Sequence, residues 1–256
     1  MPPTTCICMS DIPKVRYLDR TTPPHISTLI LLAGLSAMVM NIFLPSLPKM
    51  AEHFGTDYAV IQLSVPLYLF FSGILQIFIG PISDNLGRRR VMLWGLGLFL
   101  AATVGCLLAP NIAVFLVFRM AQAVIATGMV LSRAVIRDLY TQDESASMIG
   151  YVTMGMALVP MISPALGGLL EQGFGWQASF WAMLILGGLV FWVAWADLGE
   201  TARASGKSLG QQFGEYPELL RSPRFWGYAL ATGFFSRAFF ACLFFADFVG
   251  IVVFGM

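Results

Sequence analysis

Seven stretches of this sequence, at 26–47, 59–82, 91–109, 112–135, 146–170, 177–196 and 225–249, are apolar for about twenty residues at a time. A ~30 Å hydrocarbon core is crossed by roughly twenty helical residues. In lipid, a lone segment satisfies its own backbone hydrogen bonds only as a helix. Composition agrees: 57% of the 256 residues are hydrophobic and 11% are charged, against about 25% charged in soluble domains. An all-α, polytopic membrane helix bundle follows, with the bilayer as its first partner. The net charge of +1 leaves no basic surface for nucleic acid.

Positive residues near helix ends resist translocation. Lys14, Arg16, Arg20, Arg88, Arg89, Arg90, Arg137, Arg203, Lys207, Arg221 and Arg224 fall in alternate connections, and Lys49 alone in the others. The N-terminus is therefore expected in the cytoplasm. The domains read as a cytoplasmic tail at 1–25, six helices at 26–196, a cytoplasmic linker at 197–224, and a seventh helix within 225–256. Residues 1–25 carry charges without a cleavable apolar core. Cys6 and Cys8 supply two ligands without a second pair, so no metal and no cofactor is expected, and all four cysteines read as thiols. Six helices followed by a polar linker match a transporter half, which commonly holds two inverted three-helix repeats.

The second and third helices are joined by Gly80-Pro81-Ile82-Ser83-Asp84-Asn85-Leu86-Gly87-Arg88-Arg89-Arg90. Gly80 permits close helix approach, Gly87 permits a positive φ, and Asp84 can meet Arg88 or a neighbouring helix end. The arginines sit where the third helix starts, which its macrodipole disfavours, so they need carboxylates or lipid phosphate. Anchoring by positive charge explains three arginines equally well, but not the Gly-Asp-Gly frame.

This turn resembles the signature loop of the major facilitator superfamily. Other segments resemble its Bcr/CflA-like drug-resistance exporters: Asn41-Ile42-Phe43-Leu44-Pro45-Ser46-Leu47-Pro48, Arg119-Met120-Ala121-Gln122, Arg133-Ala134-Val135-Ile136-Arg137-Asp138, and a fifth helix with Gly150, Pro160, Ser163-Pro164 and Gly167-Gly168. The resemblance implies about twelve helices and a substrate site between two six-helix halves that rock against each other. It implies a bacterial inner-membrane exporter of drugs or other lipophilic or cationic small molecules, coupled to protons. Gly80, Asp84, Gly87, Arg88, Arg89 and Arg90 would form its gate loop. The bent wall would include Gly150, Pro160, Pro164, Gly167 and Gly168.

Arg119 lies seven residues past Ile112, roughly 10 Å inside the helix, where a charge costs at least ~2.5 kcal/mol without water or a partner. Asn41 lies at comparable depth, so the two can meet across a cavity. Alternatively, Arg119 braces the first helix through backbone carbonyls. Gln76 and Gln122 join them as pathway candidates, because polar side chains within spans face the interior. The family usually places an acid near position 41, and Asn41 does not titrate. Asp247 is then the leading proton carrier, and an interfacial role fits it too. Tyr68, Phe70 and Phe71 face either lipid or substrate. Glu52 and His53 read as loop residues, and Trp176, Trp181, Trp192 and Trp195 as interfacial anchors.

The end at Gly255-Met256 suggests that a C-terminal half, or a second copy, completes the cavity. Two other readings stand beside drug export: export of a polar metabolite without proton coupling, and a non-transporting membrane fragment. Enzyme chemistry has no support, since the sequence lacks a His-Glu zinc pattern, a Ser-Lys or paired-aspartate arrangement, and a phosphate loop.

Overall fold

A computed structural model describes residues 16–201, 210, 214, 216–235 and 237–238. Packing divides the chain into two units, Met1–Ser205 and Gly206–Met256. The regular elements described in both are helical.

In the first unit these are α1 (Ile26–Asn41), α2 (Leu47–Phe54), α3 (Tyr58–Gln62), α4 (Ser64–Leu86), α5 (Arg88–Leu107), α6 (Ile112–Ala121), α7 (Ala126–Leu139), α8 (Gln142–Phe174) and α9 (Gln177–Asp197). They form six spans long and apolar enough to cross a membrane: Ile26–Phe54, Tyr58–Leu86, Arg88–Leu107, Ile112–Leu139, Gln142–Phe174 and Gln177–Asp197. The second unit contains α10 (Tyr216–Arg221) and helix at 223–235. There the Trp226 indole donates to the Leu220 carbonyl at 2.8 Å. The expected seventh helix is described only in part, and Asp247 lies outside the described residues.

Every span runs past at least one of its expected ends, and for four of them the chemistry at the helix ends explains why. The first does not stop at its prolines. Pro45 opens a 3-10 turn at Leu44–Ser46 and Pro48 lies in the first turn of α2, positions where a missing N–H breaks no helix bond. The span ends instead at Gly55, whose φ of 58° lets its N–H cap the Ala51 and Glu52 carbonyls. Glu52 and His53 are therefore helical, which corrects their reading as loop. The third span reaches back to Arg88, immediately after Gly87. The fourth continues to Leu139 before Tyr140 turns extended. The fifth begins at Gln142, where Thr141 and Glu144 form a capping box, and continues through Pro160 and Pro164 to Phe174.

The core of this unit is built on α1, whose faces pack against α7, α8 and α9. Leu32, Ala33, Val39 and Phe43 have no exposed surface. One expectation for an aromatic residue changes here. Trp181, Trp192 and Trp195 are exposed, as anchors are, whereas Trp176 is 8% exposed. Its ring lies 5.2 Å from His53, 5.7 Å from Phe54 and 5.8 Å from Phe180, so it packs where the first and sixth spans meet.

Candidate functional site

Helix α1 breaks after Asn41, leaving its last carbonyls without the donors of a following turn. Arg119, near the end of α6, fills one of these positions. Its Nη2 donates to the Val39 carbonyl at 2.9 Å, and its Nη1 to Gln122 Oε1 at 2.7 Å. The guanidinium carbon lies 4.0 Å from the Phe43 ring centroid and 4.6 Å from that of Tyr68. With 1% of its surface exposed, Arg119 is a buried cation whose charge meets a helix C-terminus and two ring faces. Among the described residues it has no carboxylate partner, and its Nε has no hydrogen bond.

The 3-10 turn at Gln122–Ile125 carries Gln122 back beneath the guanidinium. Its Nε2 donates to Thr103 Oγ1 at 2.8 Å, and Thr103 donates to the Phe99 carbonyl at 2.8 Å. One relay thus joins the first, third and fourth spans. The bracing alternative for Arg119 is the geometry observed. Asn41 is 4% exposed, but its amide donates to Ala37 of its own helix at 2.7 Å. Among the described residues no hydrogen bond joins it to Arg119, which corrects that expectation: a short amide closes onto its own turn more readily than across a span. Gln76 is also satisfied locally, donating to Ser72 at 3.2 Å. The aromatic group divides, with Tyr68 buried beside Arg119 and Phe70 and Phe71 exposed.

The turn between the second and third spans forms a second cluster. Gly87 has a φ of 95°, and a Cβ there would collide with the Glu200 carboxylate. Glu200 Oε1 accepts from the Arg88 N–H at 2.8 Å, placing negative charge at the N-terminus of α5 as its macrodipole favours. Arg88, 6% exposed, pairs with Asp84 at 3.0 Å and engages both carboxylate oxygens of Asp138. Arg89 donates to the Leu198 carbonyl at 2.7 Å and to that of Trp195 at 3.2 Å, capping α9. Thus the unfavourable position of Arg88 and Arg89 is compensated by three carboxylates and a helix end. Asp84, Asn85, Leu86, Gly87, Arg89, Arg90 and Glu200 line an open cleft of about 370 Å³. Gly80 does not serve close approach here, because a Cβ on it would meet nothing within 4 Å.

The fifth span is also only partly as expected. A Cβ at Gly167 would overlap the Ile42 carbonyl oxygen, and one at Gly168 would touch Pro45 at 3.9 Å, while one at Gly150 would meet nothing. Gly167 is thus the residue that lets α8 cross α1 where α1 breaks. Pro160 is buried and Pro164 half-buried within the same uninterrupted helix. Towards Gly175, Lys49 pairs with Glu171 at 2.6 Å.

Asp197 is a site residue that the sequence pattern does not mark. Fully buried at the end of α9, it accepts from Leu18 N at 2.8 Å, His25 N at 2.9 Å and Thr28 Oγ1 at 2.6 Å. It ties the approach to the first span onto the end of the sixth. No sequence spacing marks it, because its partners lie 169 or more positions away.

The chain matches the Major Facilitator Superfamily profile over residues 29–256. It is 34% identical over 228 residues to a protein of Pseudomonas aeruginosa named "Chloramphenicol resistance protein", covering 88% of this chain and 53% of that one. It is 33% identical over 217 residues to the "Uncharacterized MFS-type transporter YdgK" of Bacillus subtilis, covering 82% and 54%. This chain therefore spans about half the length of these curated relatives. Among solved structures, a bacterial homologue of the human lysosomal transporter Spinster, in an inward-facing and unoccupied conformation, superposes with a TM-score of 0.65 at 20% identity. That match covers 90% of this chain and 56% of the other. The profile match and these identities lead to one conclusion: the chain is a multi-pass membrane protein belonging to the major facilitator superfamily, a family of transporters rather than enzymes.

Proposed function

We propose that this chain serves in secondary active export of drugs or other lipophilic or cationic small molecules, working by rocker-switch alternating access coupled to protons. The N-terminus faces the cytoplasm of a bacterial cell, and the spans lie in its inner membrane. A complementary six-helix half, or a second copy, completes the cavity. Buried Arg119 is the observation that carries this reading: a cation held at the break of the first span, with no carboxylate partner among the described residues, is retained against a large desolvation cost. The identity with a chloramphenicol resistance protein supports a drug-like substrate.

Arg119, Gln122, Asn41 and Gln76 border the pathway in this proposal. Asp84, Gly87, Arg88, Arg89 and Arg90, with Gly80 leading into the turn, act as the cytoplasmic latch. Gly150, Pro160, Pro164, Gly167 and Gly168 shape the wall that moves over the first span. The Asp84–Arg88–Asp138 cluster suits a latch, since ion pairs at an aqueous end re-form cheaply. Asp247 remains the proposed proton carrier. A cationic substrate would draw its counter-charge from such an acid, because Asn41 offers none.

Asn41 favours a second reading, export of a polar metabolite without proton coupling. Expression in drug-sensitive bacteria with an efflux assay tests the first reading: retained chloramphenicol equal to that of empty cells contradicts it. Asn41→Asp separates the two. Wild-type export that already depends on the pH gradient supports the coupled reading, whereas gradient-independent export that becomes gradient-dependent only in Asn41→Asp supports the uncoupled one.

A further inference from the structure

Arg133 is a second cation within a span, and its environment differs from that of Arg119. It lies in α7 six residues before Leu139, about 9 Å from that helix end, and it is exposed. Among the described residues it has no carboxylate partner. Its Nη2 lies 4.0 Å from Met156 Sδ. Met156 is fourteen residues into α8, about 21 Å from the end of α8 adjoining that of α7. Helical side chains tilt towards the N-terminus of their helix, which for α7 is the interior of the span. The Arg133 guanidinium therefore points inward, away from the nearby aqueous end, so snorkelling does not account for it. Arg137, one turn further on, is also exposed and lacks a carboxylate partner among the described residues. Of the adjacent acids, Asp138 holds Arg88 and Glu144 caps α8 at Thr141, while Asp143, exposed in the first turn of α8, forms no ion pair with either arginine among the described residues. Two like charges at i and i+4 repel, and an exposed guanidinium at this depth requires water or an anion.

We propose that Arg133, with Arg137 at the rim, is an anion-recognition pair on a water-filled face of this half. It binds a carboxylate or phosphate-type group on the transported molecule. This deepens the export reading, since it directs the described half towards acidic rather than cationic substrates.

Cysteine labelling at the neighbouring position tests it without requiring transport. Met156→Cys is made in the full chain with Cys6, Cys8, Cys106 and Cys242 replaced by Ala. The protein is reconstituted in phosphatidylcholine nanodiscs and treated with an anionic sulfonatoethyl and a cationic trimethylammonioethyl methanethiosulfonate. Both reagents react, and the anionic-to-cationic rate ratio falls about tenfold on Arg133→Gln, as expected for one charge several ångströms away in a partly aqueous site. Arg133→Lys keeps the ratio, and benzoate protects against the anionic reagent where benzamide does not. Absence of labelling by either reagent overturns the proposal, as does a ratio unchanged by Arg133→Gln or equal protection by benzoate and benzamide. If the anionic advantage disappears in phosphatidylglycerol nanodiscs, a lipid headgroup is the anion and the substrate assignment fails. An export assay that fails while labelling behaves as expected rejects the transport reading alone.

Discussion

The Arg119 relay makes an unusual prediction: removing its neutral partner destabilises the protein more than removing the neutral partner and the charge together. Gln122→Leu deletes the Oε1 acceptor of Arg119 and the donor to Thr103. A hydrogen bond to a charged group contributes about 1.5–3 kcal/mol and a neutral one about 0.5–1.5, so this variant loses roughly 2–4 kcal/mol. Arg119→Met leaves the Val39 carbonyl and Gln122 Oε1 without that donor, at about 1–3 kcal/mol each. It also removes a buried charge whose desolvation costs several kcal/mol, so its net change is within about 2 kcal/mol of zero. In the double variant only the Val39 carbonyl is stranded and the charge is gone. Relative to Gln122→Leu it gains the Arg119→Met change plus the avoided cost of a stranded Oε1, which centres on ~2 kcal/mol. Reversible unfolding in SDS, followed by tryptophan fluorescence, measures all three. Additivity of the single changes within about 0.5 kcal/mol would refute the reasoning, because it would mean that Arg119 and Gln122 are not energetically one unit.

Other predictions rest on close approaches and buried carboxylates. Gly167→Ala forces α8 off the Ile42 carbonyl and costs about 1–3 kcal/mol as overpacking, whereas Gly150→Ala, in open space, leaves stability level or raises it by up to ~1 kcal/mol; thermal unfolding of the pair distinguishes them. Asp197→Ala strands Leu18 N, His25 N and Thr28 Oγ1, at about 1–3 kcal/mol for each unsatisfied group, and limited proteolysis is expected to cleave the segment around Leu18 much faster than in wild type. Asp138→Asn weakens the two-point pairing of Arg88. It is expected to raise the labelling rate of an Asn85→Cys probe several-fold, and an unchanged rate would contradict the latch.

How far the sequence revealed this arrangement depended on the range of each interaction. The apolar runs place six spans because hydrophobic length is a property of a contiguous segment. Their ends are less legible: Pro45 and Pro48 look like breakers until their positions in the first turns of new helical segments are known. The positive φ of Gly87 and the Asp84–Arg88 pair follow from local spacing, and both are present. Arg119 is conspicuous as a charge in an apolar run, and carbonyl bracing is among its possible roles. Its selection of Val39 over Asn41 depends on which carbonyl the break in α1 leaves free. Asp197 and the Gly167–Ile42 contact are invisible in sequence, since each depends on the register between spans far apart in the chain.

The most direct test of the account is uptake into everted, energised membrane vesicles bearing this 256-residue chain, assayed with cationic, neutral and anionic fluorescent dyes with and without a protonophore. The account predicts uptake of at least one dye above that of empty vesicles, abolished by the protonophore and by Arg119→Met. Uptake indistinguishable from empty vesicles for all three dyes, with the chain correctly inserted, would contradict a cavity completed by a second copy of this chain.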